Sequence, residues 1–319
     1  MNGKPDPATI LLAAERIAPY IRETPLDYSA YFSEHTGANV YLKLENLQYT
    51  GSFKLRGAFN KLLSLTLPQR NAGCVAASSG NHGAAVAHAM AKLGVTGTVF
   101  VPEQTSTTKV DAIRRAGAEV RFFGTDGLDT ENHAREYADR AGKVYLSPYN
   151  DLEVIAGQGT CGLEIARQLP SVDAALIAVG GGGLISGIGS YLKSINPGTA
   201  IVACQPEASA VMTRSVAAGR ILDLPGEPTL SDGTAGGIEA NAVTFELCRD
   251  IADDYVLVSE ESIADAMRAF IDVHHMLLEG AAGVALAALL AMQRRFEGKN
   301  VVVVVCGGNI SRETLQRVL

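Results

Sequence analysis

The octapeptide Gly51-Ser52-Phe53-Lys54-Leu55-Arg56-Gly57-Ala58 sets one lysine in a glycine-bounded turn, just after the extended apolar run Val40-Tyr41-Leu42-Lys43-Leu44. Most lysines are solvated surface charges. One held in a turn beside a sheet can instead become a nucleophile that bonds a carbonyl carbon. Two other turns give such a bond something to hold. Gly180-Gly181-Gly182-Gly183 follows the apolar run Ala174 to Val179 and precedes the helix-like Leu184 to Ile195. Four successive glycines beside a helix start bare their backbone N–H groups, which suits a phosphate dianion. A P-loop is absent, and Ser186 stands where a dinucleotide fingerprint would need its last glycine, so the turn fits a simple phosphomonoester. Its plainer alternative is a turn made of glycine for close packing alone.

The third turn, Ser78-Ser79-Gly80-Asn81-His82-Gly83, carries hydroxyls, an amide and backbone donors ahead of a helix expected to start near Ala84, a combination that suits a carboxylate. The alternative is that Ser79 or Asn81 merely caps that helix, with His82 a hydrogen-bonded packing residue. Cys306-Gly307-Gly308-Asn309 follows five valines that must form a buried central strand, and Cys306 by default is a small buried apolar residue.

These turns need a scaffold that brings strand ends together. Short β-branched runs, Thr98 to Val101, Glu119 to Phe122, Ala174 to Val179 and Val301 to Val305, alternate with helical periodicity, the pattern of parallel sheets with crossover helices. The expected fold is α/β with two open, mostly parallel sheets flanked by helices. Between Gly73 and Ser147 four strands alternate with three helices, so residues 71–149 are expected to form a small domain inserted into a large one made of 1–70 and 150–319. A first helix is expected over Ala8 to Ile21, entered through Asp6-Pro7. Leu222 to Gly237 is the longest irregular stretch, a length often given to function. In a parallel sheet all three turns fall at the carboxyl edge, where they can face one cleft.

Composition narrows the function. The chain has 319 residues, 47% of them hydrophobic, and a net charge of −7, with no run of Lys and Arg to meet phosphate backbones or anionic lipid. Nucleic acid and membrane partners are not expected. The N-terminal stretch through Ile10 holds Pro5 and Pro7 without an apolar core, and Ala281 to Met292 is shorter than the roughly 20 residues that span a bilayer, so a cytoplasmic location is expected. Five widely spaced cysteines are expected as free thiols. Six histidines without His-Glu-x-x-His spacing argue against a transition-metal site.

A carbonyl-bonding lysine, a phosphate cup and a carboxylate turn are the parts needed to hold pyridoxal phosphate and an amino acid. Thr50 to Ala58, Ser78 to Gly83, Ala156-Gly157-Gln158-Gly159-Thr160, Gly180 to Gly183, Glu279-Gly280-Ala281-Ala282-Gly283 and Cys306 to Asn309 resemble, in order and spacing, the pyridoxal-phosphate-dependent serine/threonine dehydratase and serine racemase family, across nearly the whole chain. The resemblance implies the fold-type-II architecture of the tryptophan synthase β-subunit and a homodimer. It implies that Lys54 carries the cofactor and then acts as general base, and that Phe53 packs on the cofactor ring. It puts Gly180 to Gly183 on the phosphate, Asn81 on the ring hydroxyl, Gly233 and Glu279 beside the cofactor, and Cys306 at the pyridine nitrogen.

By the same resemblance Ser78, Ser79, Asn81 and His82 surround the substrate carboxylate, and Ser79 could return a proton on the opposite face. The implied reaction is β-elimination from a β-hydroxy amino acid such as L-serine or L-threonine, giving a 2-oxo acid and ammonia. A thiol at Cys306, with a reference pKa of about 8.5, is too weak an acid to keep a pyridine protonated, which favours elimination over transamination. No metal is expected: Glu207 stands at one position used by metal-activated relatives, but Met212 and Thr213 fall where the later acid belongs. Ala84, where many dehydratases carry glutamine, and Ser231 to Gly237, which departs from the usual Ala-Asp-Gly-Ile-Ala, open serine racemisation or 3-hydroxyaspartate dehydration as alternatives. A regulatory protein that binds the cofactor without turnover is the non-enzymatic alternative.

Overall fold

A computed structural model describes residues 5–125 and 127–319. The first four residues of the stretch read for a leader lie outside the described residues. Ten strands form two sheets: β1 (Leu26–Tyr28), β2 (Asn39–Leu44), β3 (Cys74–Ala77), β4 (Gly97–Val101), β5 (Glu119–Phe122), β6 (Val144–Tyr145), β7 (Ala174–Ala178), β8 (Ala200–Pro206), β9 (Asp254–Val258) and β10 (Asn300–Val305). The larger sheet runs β1-β2-β10-β7-β8-β9, parallel except for β1, and the smaller runs β5-β4-β3-β6, parallel throughout. The helices are α1 (Pro7–Ile17), α2 (Ala30–Thr36), α3 (Lys54–Ser64), α4 (Leu67–Ala72), α5 (Asn81–Leu93), α6 (Thr107–Arg115), α7 (Gly127–Arg140), α8 (Leu152–Gln168), α9 (Gly183–Ile195), α10 (Val211–Ala218), α11 (Val243–Ile251), α12 (Glu260–His274), α13 (Gly280–Ala291) and α14 (Arg312–Val318).

Val301 to Val305 are fully buried in β10, between β2 and β7. A strand covered on both faces needs no polar alternation, which is why five valines in a row fit there. α13 is apolar all round and packs against β7 and β10; no helix among the described residues is long and apolar enough to cross a membrane.

Two boundaries differ from the sequence reading. α1 stops at Ile17 instead of Ile21, with Asp6 accepting from Thr9 N–H and Pro7 at the first turn. α5 begins at Asn81, three residues before Ala84, and no side chain caps it. Gly83 allows the earlier start, because a Cβ there would collide with the Ser78 carbonyl oxygen.

The lysine sits on a helix wedged between the two sheets. Leu55, Ala58, Phe59 and Leu62 of α3, with Ile17 of α1, share a core with Cys74, Ala76 and Val99 of the smaller sheet. The other side of α3 meets α8 backbone to backbone: a Cβ on Gly157 would lie 2.7 Å from the Arg56 carbonyl oxygen and from Gly57 Cα. α9 crosses at the same seam, where a Cβ on Gly187 would lie 2.5 Å from Gly159 N. The motif Ala156 to Thr160 is therefore a packing seam, and its glycines set how closely α3 can approach.

Candidate active site

Arg56 anchors that helix from below. Its Nε donates to Glu45 Oε2 at 2.7 Å and its Nη2 to Glu45 Oε1 at 2.8 Å, while Nη1 and Nη2 reach Glu164 at 2.6 and 2.8 Å. Lys43 Nζ adds a bond to Glu164 Oε2 at 2.6 Å, and Arg56, Lys43 and Glu45 have no exposed side-chain surface. Burial alone would raise the Glu45 pKa, but the Arg56 guanidinium overrides it and holds the carboxyl below its ordinary range.

At the other end of the motif the backbone of Gly51, Ser52 and Phe53 zips onto the turn after β10. Phe53 N–H donates to Cys306 O at 3.1 Å, Gly308 N–H to Gly51 O at 2.9 Å, and Ser52 bridges Gly307. Gly51 has a φ of 72°, the left-handed region that glycine tolerates.

Lys54 Nζ, at the first turn of α3, donates to the Pro148 carbonyl oxygen at 2.9 Å and lies 5.2 Å from the Phe53 ring centroid. The residue is half-buried because its amine opens on a cavity, yet protein encloses that amine, and burial pushes its pKa from 10.5 down to about 8. The cavity holds about 1600 Å3 and is lined by Lys54, the Ser78 to His82 turn, Gly180 to Gly183, Gly233, Glu279 and Cys306. The three separated turns of the sequence thus meet around one space.

Each turn presents a different chemistry. The N–H groups of Gly181, Gly182, Gly183 and Leu184 find no backbone acceptor among the described residues, and no side chain caps α9. Packing demands glycine as well: a Cβ on Gly181 would enter the Tyr149 ring, one on Gly182 would lie 2.6 Å from Cys248 Sγ, and one on Gly180 would lie 2.9 Å from Thr234 Cα. The start of α5 is uncapped in the same way, so the capping alternative for Ser79 and Asn81 is set aside. Ser78 Oγ instead accepts from Gly80 N–H at 3.2 Å. His82 Nε2 lies 2.8 Å from the Leu146 carbonyl oxygen, and burial lowers its pKa to about 3, so it is neutral at physiological pH.

Asn81 is engaged within the protein. Its Nδ2 donates to both Glu279 oxygens at 2.8 Å and its Oδ1 accepts from Asn309 Nδ2 at 2.7 Å. Burial raises the Glu279 pKa to about 7, against the opposing Asn81 bond, and Cys306 Sγ lies 3.9 Å from Glu279 Oε1. Burial also pushes the Cys306 thiol well above its ordinary pKa, so it is neutral. Glu207 is exposed on a short helix and does not line the cavity.

Several lining groups carried no motif. Pro148, Tyr149 and Glu131 belong to no glycine-rich turn; the first two follow β6, which pairs with β3, and Glu131 lies on α7, which packs against β3 and β6. Asn309 lay within a recognisable motif, yet its bond to Asn81 joins residues 228 positions apart.

The donor set fits pyridoxal phosphate: a depressed-pKa amine for its aldehyde, unpaired N–H groups for its phosphate, and a neutral thiol beside a buried carboxyl for its ring. Comparison with known proteins agrees. The family described as pyridoxal-phosphate dependent enzymes matches residues 17–307. An L-threonine ammonia-lyase of Thermotoga maritima is 41% identical over 299 residues, covering 94% of this chain and 74% of that protein. A catabolic L-threonine dehydratase of Escherichia coli is 40% identical over 311 residues, covering 97% and 94%. Among solved structures, maize serine racemase matches with a TM-score of 0.92 at 32% identity, covering 98% of this chain and 96% of that one.

Proposed function

Because the chain belongs to the family of pyridoxal-phosphate-dependent enzymes, we propose that it is an ammonia-lyase that eliminates the β-hydroxyl of L-threonine or L-serine, yielding a 2-oxo acid and ammonia. The observation that carries this reading is the enclosed Lys54 amine facing both uncapped helix starts across one cavity.

Bound at its aldehyde, pyridoxal phosphate supplies the electron sink that makes an amino acid's α-hydrogen acidic. In this reading Gly181 to Leu184 offer their N–H groups to its phosphate, and Phe53, Asn81, Glu279, Gly233 and Cys306 surround its ring. The N–H groups at the start of α5, with the Ser78 and Ser79 hydroxyls, orient the substrate carboxylate. Lys54 takes the α-proton at Nζ, and the Pro148 carbonyl oxygen aims that amine. His82 stays neutral and fixes the turn through Leu146 instead of contributing charge. The Ser79 hydroxyl lines the same cavity and could return a proton from another side, which supports racemisation as a second activity on the same residues.

In the same reading residues 71–149 act as a small domain over the cavity and the protein works as a cytoplasmic homodimer. The five free cysteines suit a reducing compartment. Incubation with L- and D-serine, L-threonine and 3-hydroxyaspartate, followed by measurement of 2-oxo acid and of enantiomer ratio, tests the assignment. Release of 2-oxo acid from L-threonine or L-serine is expected. A bound chromophore with no 2-oxo acid from any of them would leave a binding protein or a racemase.

The lowered Lys54 pKa sets a pH dependence. Only the neutral amine attacks an aldehyde, and at pH 7.5 a group with a pKa of about 8 is neutral in about a quarter of molecules, against about a thousandth at 10.5. Capture of pyridoxal phosphate by the cofactor-free protein is therefore expected to speed up about tenfold per pH unit below pH 7, about fivefold from pH 7 to 8, and to level off above that. Stopped-flow absorbance reads this rate; a rise continuing to pH 10 would show an ordinary lysine.

A further inference from the structure

One charged cluster at the cavity wall has no part in holding the cofactor. Glu131 of α7 accepts from Arg135 Nη2 at 2.9 Å and from the Tyr145 hydroxyl at 3.1 Å. The same Arg135 Nη2 reaches Glu239 Oε1 at 2.5 Å, and its guanidinium lies 4.2 Å over the Tyr145 ring. Asn150 Nδ2 secures the other Glu239 oxygen at 2.7 Å. Glu131 and Glu239 expose 16% and 18% of their side chains, so neither is a freely solvated surface acid. Two carboxylates share one guanidinium; burial raises the Glu239 pKa and the neighbouring Glu131 adds to the rise, while Asn150 and Arg135 oppose it. Glu131 is the member that lines the cavity with Lys54, and its charge is felt at the Lys54 amine.

With the phosphate end assigned to α9 and the carboxylate end to α5, a substrate side chain is left to face the remaining wall. The other ionisable side chains lining the cavity sort clearly among the described residues. Lys109, Asp223, Asp232, Arg312 and Glu313 are exposed at the rim, Lys109 lying 3.7 Å from Asp232; His88 is half-buried and His82 is neutral. The interior therefore holds Lys54, Glu279 beside the cofactor ring, and Glu131, together with Tyr149 and Cys306, which burial keeps neutral. A neutral hydroxyl side chain can enter, whereas a second carboxylate meets Glu131 in a poorly solvated space with no free interior cation to receive it.

Resting on the ammonia-lyase reading, we propose that Glu131, held in place by Arg135 and Tyr145, is a specificity-determining residue that admits neutral β-hydroxy amino acids and rejects those with an acidic side chain. It decides against 3-hydroxyaspartate by charge repulsion and takes no part in bond breaking.

The test titrates the holoenzyme's visible absorbance with L-alanine and L-aspartate, which bind as amino acids but carry no β-leaving group. Aspartate is expected to bind on the order of tenfold more weakly than alanine, or worse. Glu131→Gln keeps acceptors for Arg135 and Tyr145 while removing the charge, and it should collapse that ratio towards one. Arg135→Gln strips the counter-charge and should widen it, and it decides the matter by itself if Glu131→Gln does not fold. Opposite shifts from neighbouring residues are not what a merely structural role would produce. Aspartate binding as tightly as alanine, or a ratio unmoved in the variants, overturns this inference while leaving the lyase reading intact. Absence of any visible band overturns the cofactor reading and this inference with it.

Discussion

Lys54→Ala is expected to lose the visible chromophore and the elimination activity together, with turnover falling by about 10^3-fold or more, because in the proposed reading one amine provides both the covalent attachment and the general base. The fold should survive. Lys54 has its amine in the cavity and a single hydrogen bond, to Pro148 O, while α3 is held by Leu55, Ala58, Phe59 and Leu62 beneath it. Pyridoxal phosphate should still associate weakly through Gly181 to Leu184, so dialysis would remove it from the variant and not from the parent protein. Absorbance spectra before and after dialysis, with a 2-oxo acid assay, check both halves. Undiminished turnover in Lys54→Ala would place the base on another residue and undo the assignment of the site.

Arg56→Ala should cost the most in stability, about 3–5 kcal/mol, by stranding Glu45 in the protein interior without its guanidinium and leaving Glu164 with Lys43 as its remaining ion-pair partner. Arg56→Lys should recover only part of that loss, because a compact ammonium cannot fork across two carboxylates as the guanidinium does. The pH dependence follows from the lowered Glu45 pKa. The contribution of a carboxyl whose folded pKa lies below its unfolded value is complete above about 4.5 and disappears as the pH falls through the folded value. The parent protein should therefore lose stability on acidification through that range, and Arg56→Ala should lose less of it, having little left to lose. Denaturant unfolding at pH 7 and pH 4 measures both effects; an Arg56→Ala midpoint equal to the parent's would show that the network does not support α3.

The network and the lysine are two ends of one device. Arg56 follows Lys54 by two residues and points to the opposite side of α3, into the charges of Glu45 and Glu164, so its bonds hold the helix whose first residue carries the amine. Gly57 and Gly157 let α8 close against the same helix. A motif that reads as catalytic chemistry is, for half its length, the machinery that positions one side chain.

Strand and helix alternation, readable as a switch between two periodicities, was enough for the α/β class with two mostly parallel sheets, because period-two and period-3.6 burial each demand their own order of apolar residues. Glycine runs marked turns that end up lining one cavity, although packing against Tyr149, Thr234 and Cys248 calls for the same absence of Cβ atoms. The first residue of α5 was not readable locally: Gly83 starts the helix early by permitting contact with Ser78, a relation set by how β3 delivers the turn.

Tertiary structure alone decided the charges. Nothing near Lys54 in the chain announces an amine with a pKa near 8; that value comes from enclosure by segments drawn from both sheets. Nor could local sequence pair Asn81 with Glu279 or Arg135 with Glu239, residues 198 and 104 positions apart. Backbone propensities act over a few residues and so are written along the chain, whereas burial and Coulomb forces depend on distance through space, which exists only once the sheets have closed around the cavity.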